Sequence, residues 1–182
     1  MDMKAHLVGN GNSQNLFSFD IGDYVVACNV PKHKHNYKVL SIIDQKVLLY
    51  LQNNRTAIHP VEIWCTPEIK RYAKAKSMTG TYKDVYKKRH RWNSGHLAVE
   101  HMAKTHNEIH MWGMDSMFKD DLTSLMDDRV KRPQRPNLNK EWRPNWSTVF
   151  KQAPNTRFVV HIPDGVKGIE YAENCCYKHH KE

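Results

Sequence analysis

The sequence predicts an α/β fold, a three-layer sandwich in which a mainly parallel sheet carries helices on both faces. Short apolar runs typical of strands alternate with amphipathic runs typical of helices along the 182 residues. The strand-like runs are nearly continuous in apolar residues, as expected for strands buried on both faces of a parallel sheet. The length corresponds to a single domain, residues 1–182, and the sequence contains no internal repeat.

The first half supplies four predicted strands and two helices. The strands are Ala5–Val8, Tyr24–Cys28, Val39–Ile43 and Val61–Cys65. Asp44 is an N-cap for a short helix, whose apolar side chains share one face: Val47, Leu48 and Leu51. A helix-like basic stretch follows the fourth strand over Pro67–Lys76.

The second half continues the alternation. A helix opens at Asn93-Ser94-Gly95, and Glu108–Trp112 is the next strand. Residues 116–143 are polar and broken by prolines, which predicts a basic lid or long loop. Pro144 suits the first turn of a helix, whose buried face is predicted to hold Trp142, Trp146, Val149 and Phe150. Phe158–Ile162 is the final predicted strand, and residues 167–182 are expected to form a weakly structured tail.

Charge is distributed unevenly along the chain. Residues 1–66 carry 6 basic and 5 acidic residues, a balance of +1, and the remainder carries 22 and 14, a balance of +8. A basic half suggests an anionic partner such as a nucleotide, a sugar phosphate or a nucleic acid. A solvated surface with no specific partner is the alternative interpretation.

Composition also bears on the compartment. No apolar run approaches the roughly 20 residues needed to span a bilayer, and no secretory signal pattern is present. Cys28 and Cys65 lie in apolar strand-like runs, and Cys175 and Cys176 are adjacent, so the four cysteines do not form a disulfide framework. These features favour a cytoplasmic protein in a reducing environment. The oligomeric state is left open.

The loop after the first strand, Gly9-Asn10-Gly11-Asn12-Ser13, is a candidate ligand loop. Its glycines allow close backbone approach, and its Asn and Ser side chains offer donors and acceptors to a ribose, base or phosphate. Gln14 stands where the dinucleotide fingerprint requires a third glycine, and the Walker lysine pattern is absent. A plain tight turn is the alternative interpretation.

Further candidates follow the other strands. Asn29 leaves the second strand, and Ser94 and Gly95 begin a helix whose free N–H groups attract phosphate, although simple capping explains them equally well. Asp115 follows the strand Glu108–Trp112 and is predicted to act as a base or to hold sugar hydroxyls. A residue that caps or braces the following loop is the equal alternative. Ligands of parallel sheets sit at the carboxyl ends of the strands, where these residues are expected to meet. The predicted lid adds two cations that could close over an anion, Arg132 and Arg135.

The same segments carry a resemblance to a known family. Val8–Ser13, Ala27-Cys28-Asn29, Trp92–Gly95 and Ile109–Asp115 resemble, in order and spacing, motifs of Rossmann-like bacterial sialyltransferases of the Campylobacter type. Small phage and marine-viral proteins of unknown function are similar. The resemblance implies metal-independent sugar transfer from a cytidine monophosphate sugar. It implies that the nucleotide site is formed by Asn10, Gly11, Ser13, Asn29, Ser94 and Gly95, with Asp115 near the sugar.

Three functions follow as expectations, the last of which is a structural or assembly protein on a reused fold. The first is a nucleotide-sugar-binding, glycosyltransferase-like protein that needs no cofactor, is phage-encoded and acts in the host cytoplasm. The second is a non-catalytic module of the same fold that binds a nucleotide or nucleic acid. It is favoured by the absence of histidine from residues 116–143, where the family places its catalytic histidine. The scattered histidines show no zinc spacing.

Overall fold

The computed structural model describes residues 4–20, 22–31, 37–54, 62–121, 124–126, 130 and 138–181. These residues form one eight-stranded sheet in which every neighbouring pair of strands is parallel. The strands are β1 (Ala5–Val8), β2 (Tyr24–Cys28), β3 (Val39–Ser41), β4 (Glu62–Trp64), β5 (Thr81–Lys83), β6 (Glu108–Trp112), β7 (Arg157–Pro163) and β8 (Cys175–His180). The predicted Rossmann-like α/β class is confirmed.

Four α-helices within the described ranges connect the strands: α1 (Gln45–Asn53), α2 (Pro67–Ala75), α3 (Ser94–Met102) and α4 (Leu138–Gln152). Local chemistry sets where three of them begin. The Asp44 carboxylate accepts a hydrogen bond from the Lys46 N–H at 2.8 Å, and Thr66 caps α2 just before Pro67. Asn93 caps α3.

Helices cover both faces of the sheet, as predicted. On one face, α3 and α4 pack against a core that includes Leu7, Ile109 and Phe158. On the other, α1 and α2 pack against a core that includes Val8, Val25 and Leu40. Neighbours such as Leu7 and Val8 point to opposite faces and are both fully buried, which explains why the strand sequence is continuously apolar.

The order across the sheet is β5-β4-β3-β2-β1-β6-β7-β8. The chain builds outward from β1 to β5, returns through α3, and then builds outward on the other side of β1. The strand order therefore reverses between β1 and β6. In open parallel sheets, ligands bind at such a point, outside the carboxyl ends of the strands.

Two strands lie outside the sequence prediction. Strand β5 is a three-residue edge strand, and β8 lies inside the predicted weakly structured tail of residues 167–182. The sequence of β8, Cys-Cys-Tyr-Lys-His-His, has no apolar run, and it becomes a strand because all six residues pair with β7. The Asn174 side-chain nitrogen fixes its start, lying 2.9–3.0 Å from the carbonyl oxygens of Phe150, Ala153 and Thr156.

Helix α4 begins earlier than predicted. It starts at Leu138, inside the predicted lid of residues 116–143, so Pro144 lies within the helix rather than in its first turn. Proline cannot donate an intrahelical hydrogen bond, which costs about 3 kcal/mol in a helix interior. Burial of Trp146 and Phe150, both at most 1% exposed, offsets this cost. The rest of the predicted lid falls mostly outside the described residues.

Smaller differences concern element ends. Strand β3 stops at Ser41, two residues before the predicted Ile43, because the chain turns toward the cap of α1. A 3-10 turn over Asn12–Leu16 follows the glycine loop, and another spans Asp115–Met117.

All four cysteines are free thiols. No helix in the described part of the chain has the length and apolar character needed to cross a membrane.

Candidate functional site

A cavity of about 110 Å³ lies at the carboxyl edge of the sheet, where the strand order reverses. Its lining comes from the ends of β1, β2 and β6 and from the starts of α3 and α4. Six of the ten predicted site residues line it: Asn10, Gly11, Asn29, Ser94, Gly95 and Asp115. The fold thus brings together residues that are as far as 105 positions apart, from Asn10 to Asp115.

The glycine loop fits here because two backbones approach closely. The Gly9 N–H donates to the Trp112 carbonyl at 2.7 Å, and the Gly11 N–H donates to the Gly113 carbonyl at 2.8 Å. A Cβ on Gly9 would lie 2.6 Å from the Gly113 oxygen, and Gly113 itself has a φ of +65°. The loop is therefore built for the junction of β1 and β6 as well as for a ligand.

Asp115 ties the loop to β6. Its Oδ1 accepts from the Ser13 hydroxyl, and the Ser13 N–H lies 3.2 and 3.3 Å from the two carboxylate oxygens. The carboxylate is buried, and the Lys119 ammonium lies 3.7 Å away. This arrangement gives Asp115 a positioning role for the loop. Its catalytic role stays a prediction.

Ser13 and Asn12 lie outside the cavity lining, unlike Asn10 and Gly11 of the same loop. Ser13 is 3% exposed behind the lining. Ser13 supports the site through Asp115, whereas Asn12 is exposed at the start of the 3-10 turn. Their predicted contact with a ligand stays a prediction.

The two asparagines of the lining have different conformations. Asn29 adopts a left-handed backbone, with φ of +56°, which asparagine tolerates better than most residues. The Asn10 side chain donates from Nδ2 to the Cys28 carbonyl at 2.7 Å. Its Oδ1 is buried and has no hydrogen-bond partner within the described ranges. Asn10 therefore presents an unused acceptor at the cavity.

Helix α3 places its N-terminus at the cavity. The Asn93 side chain accepts from the His96 N–H, and His96 Nδ1 accepts from the Asn93 N–H, both at 3.0 Å. His96 Nε2 therefore carries the proton and donates to the Trp142 carbonyl at 3.1 Å. Burial lowers the pKa of His96 to about 3, so the cap is neutral. The N–H groups of Ser94 and Gly95, at the first helical positions, have no intrahelical acceptor.

Two tryptophans of α4 complete the lining, and sequence reasoning missed their role. Trp142 and Trp146 were predicted from their spacing to be core residues only. Trp146 is 1% exposed, yet its indole N–H has no hydrogen-bond partner among the described residues. A tryptophan in a predicted core whose N–H needs an acceptor is the signal that could have identified it.

Neither of the two cations predicted for this site lies in the described part of the chain. Arg132 and Arg135 lie outside the described residues. Arg143 does not reach into the cavity lining, and instead its guanidinium donates to the carbonyls of Ser116 and Lys119 at 3.1 and 2.8 Å. It thereby joins α4 to the segment after β6. Burial raises the pKa of the Cys28 thiol to about 12, which removes it as a nucleophile.

A row of histidines crosses the sheet face opposite α3 and α4. His110 Nδ1 lies 2.8 Å from His161 Nε2, and His161 Nδ1 lies 2.6 Å from His180 Nε2. Glu108 ends the row, 2.9 Å from His110 Nε2, and the Trp112 ring stacks on His161. The residues described here contain no group of three His, Cys, Asp or Glu side chains placed to hold a metal ion. The row is a hydrogen-bonded chain of imidazoles.

Comparison of the chain with protein-family models, with curated proteins and with solved structures finds no match.

Proposed function

We propose that the cavity binds a nucleotide or a nucleotide sugar, as the binding site of a glycosyltransferase-like protein. The observation that carries this proposal is a pair of buried polar atoms on lining residues, the Asn10 Oδ1 acceptor and the Trp146 Nε1 donor, which have no hydrogen-bond partner among the described residues. An unmade hydrogen bond costs about 1–3 kcal/mol per buried group. A ligand that has both donors and acceptors, such as a sugar or a base, would recover that energy.

The start of α3 supports an anionic group on the same ligand. Ser94 and Gly95 offer two backbone N–H groups at the positive end of a nine-residue helix. The neutral His96 cap adds no charge of its own, because burial lowers its pKa to about 3. A phosphate at this point would lie in the cavity that Asn10 and Trp146 also line.

Cavity size limits how much of the ligand this site holds. Its volume of about 110 Å³ is below the roughly 300 Å³ of the smallest usual small-molecule sites. It suits one part of a nucleotide, a phosphate or a ribose, with the remainder extending along the sheet edge.

A non-catalytic nucleotide-binding module is the second candidate. The observation that favours it is the engagement of Asp115, whose carboxylate is hydrogen-bonded to Ser13 and lies 3.7 Å from Lys119. These contacts give the carboxylate a structural task, holding the loop after β1 to the end of β6, that needs no catalysis. Sugar transfer with Asp115 as the catalytic residue is the further step that the glycosyltransferase proposal requires.

The test is thermal unfolding with cytidine, uridine, guanosine and adenosine nucleotides at millimolar concentration. A ligand at about 100 times its Kd stabilises the folded state by about 2.7 kcal/mol. Gly95→Ala is the matched variant: its methyl group would lie 3.2 Å from Asn93 Oδ1, 3.4 Å from Trp146 and 3.7 Å from the Met114 sulfur, among residues that line the cavity. Nucleotide stabilisation in the wild type that is lost in Gly95→Ala supports the site.

Stabilisation by none of the nucleotides would contradict the proposal. Hydrolysis or transfer from a nucleotide sugar by the wild type, lost in Asp115→Asn, separates the enzyme from the module. Steeply salt-dependent binding of DNA or RNA, unaffected by Gly95→Ala, would indicate a nucleic-acid surface elsewhere on the molecule.

A further inference from the structure

A second pocket, of about 450 Å³, lies on the same carboxyl edge of the sheet. It is formed where β3 and β4 lead into the starts of α1 and α2, and residues 88–92 close its side. Its floor is apolar, with Ile43, Ile69 and Leu97, and Trp92 forms a wall. Unlike the first cavity, it has the volume of a typical small-molecule site.

The two pockets are neighbours. Trp92 and Leu97 line the second pocket and flank, along the chain, the residues Asn93–Gly95 that line the first. The Ser41 hydroxyl, at the end of β3, donates to the Ser94 carbonyl at 2.8 Å and fixes the start of α3 between them. The two pockets therefore lie at the start of the same helix, although they share no lining residue.

The acidic groups of the second pocket are hydrogen-bonded at the starts of two helices. Asp44 is the cap of α1 and accepts from the Lys46 N–H at 2.8 Å. Glu68 lies on the start of α2, where its own backbone N–H and the Thr66 hydroxyl lower the pKa of its carboxyl group. Glu68 also interacts electrostatically with Lys88, and the cations of the lining outnumber its carboxylates: Lys46, Lys88 and Arg89 against Asp44 and Glu68.

The cations of the rim differ in whether they have an ion-pair partner. Arg89 pairs with Glu100 at 2.6 Å and stacks over the Trp92 ring, with its guanidinium carbon 4.3 Å from the ring centroid. Lys46 and Lys88 have no ion-pair partner within the described part of the chain. Two ammonium groups over an apolar floor suit a ligand that combines a ring with a negative charge.

We propose that this pocket is a second subsite, which binds a carboxylate- or phosphate-bearing ring compound through Lys46 and Lys88, with the ring against Trp92. It extends the proposed function, since the compound is either the remainder of the nucleotide ligand or a second, anionic substrate. Binding of the anion to this pocket does not itself require the first cavity to bind a nucleotide.

Phenyl phosphate is the probe, with inorganic phosphate and benzyl alcohol as its anionic and ring halves. The readout is the indole N–H spectrum of protein labelled with ¹⁵N-tryptophan, in which Trp92→Phe assigns the Trp92 signal among the five tryptophans. Phenyl phosphate is expected to shift the Trp92 signal and to bind more tightly than either half. The double variant Lys46→Gln and Lys88→Gln is expected to bind phenyl phosphate at least tenfold more weakly. A tenfold loss corresponds to about one charge-assisted hydrogen bond.

The control is the pair Lys74→Gln and Lys76→Gln, which removes two exposed charges from the far end of α2 and should leave binding unchanged. No shift of Trp92, or equal affinity in the Lys46 and Lys88 variant, would overturn the subsite. Gly95→Ala separates the two proposals, since it should abolish nucleotide binding and leave phenyl phosphate binding intact. If nucleotides do not bind but phenyl phosphate behaves as expected, the subsite stands and the nucleotide proposal falls.

If a nucleotide does bind, the lysine variants show which compound fills the subsite. Weaker nucleotide binding in Lys46→Gln and Lys88→Gln means that one ligand spans both pockets. Unchanged nucleotide binding, together with weaker phenyl phosphate binding, means that the subsite takes a separate anionic substrate. Both results support the subsite.

Discussion

Acidification is expected to destabilise this fold before its carboxylates titrate, because two histidines are buried in the neutral form. His96 is fully buried in the cap of α3, and burial lowers its pKa to about 3. His161 is 2% exposed in the histidine row, and its pKa is lowered to about 2 by burial and then by the neighbouring His110, His180 and Lys178. In the unfolded chain both titrate near about 6.5.

The sign and size of the effect follow from proton linkage. The unfolded state binds more protons than the folded state below about pH 6.5, so stability is complete above that pH and falls as the pH decreases toward the folded-state pKa values. At about pH 5, protonation of the unfolded chain at one such histidine favours unfolding by about 2 kcal/mol. The two together amount to about 4 kcal/mol, a large part of the roughly 5–15 kcal/mol that stabilises a typical domain.

Other histidines and several carboxyl groups also change the stability lost on acidification. Burial also lowers the pKa of His6, His101, His110 and His180, which adds to the loss. Carboxyl groups with lowered pKa values lose their stabilising contribution only as the pH falls below about 4: Asp23, Glu62 and Asp84. Between about pH 6.5 and pH 5, the histidines therefore dominate.

The assay is urea unfolding followed by circular dichroism at a series of pH values. The free energy of unfolding is expected to fall as the pH decreases. His96 and His161 together bind up to about two more protons in the unfolded state, which gives a slope approaching about 2.7 kcal/mol per pH unit. His161→Phe keeps the stacked ring on Trp112 and should reduce the slope by about one proton. His90→Gln, at an exposed position, is the control. An unchanged slope in His161→Phe, or stability independent of pH in this window, would refute the reasoning.

Two further predictions concern the glycine loop. Gly9→Ala places a methyl group 2.6 Å from the Gly113 oxygen, where backbone cannot yield cheaply, so it should lower the free energy of unfolding by about 1–3 kcal/mol; an unchanged urea midpoint would contradict the close packing of β1 and β6. Ser13→Ala leaves the buried Asp115 carboxylate without its hydroxyl donor and should cost about 1–3 kcal/mol. Lys74→Ala, at an exposed position of α2, should stay within about 0.5 kcal/mol of the wild type, and equal losses in the two variants would contradict the role of Ser13.

Sequence reasoning located most of the site because the site residues follow strands that are readable locally. The apolar runs that end at Val8, Cys28 and Trp112 are unmistakable, and in a parallel sheet all carboxyl ends meet at one edge. Asn10, Asn29 and Asp115 could therefore be placed together. The cap Asn93 and the helix start at Ser94 were equally local signals.

The missing part of the site comes from long-range packing. Trp146 is a core residue by its helical spacing, and only the packing of α4 against α3 shows that it also lines the cavity, with an indole N–H that has no partner among the described residues. The second pocket needs the starts of α1 and α2 side by side, an arrangement that follows from adjacent parallel strands and not from either segment alone. The periodicity of apolar residues shows which face of a helix is buried, but not which other element that face packs against.

The sequence by itself determined the fold class, the strands with continuous apolar runs and the glycine loop, since each depends on a few neighbouring residues. Only the tertiary structure decided that Cys175–His180 forms a strand, that α4 continues through Pro144, and that Asp115 is bound to Ser13. The physical reason is the same in each case. These features are stabilised by partners far along the chain, whose contribution exceeds the weak local preference and is invisible in a short window of sequence.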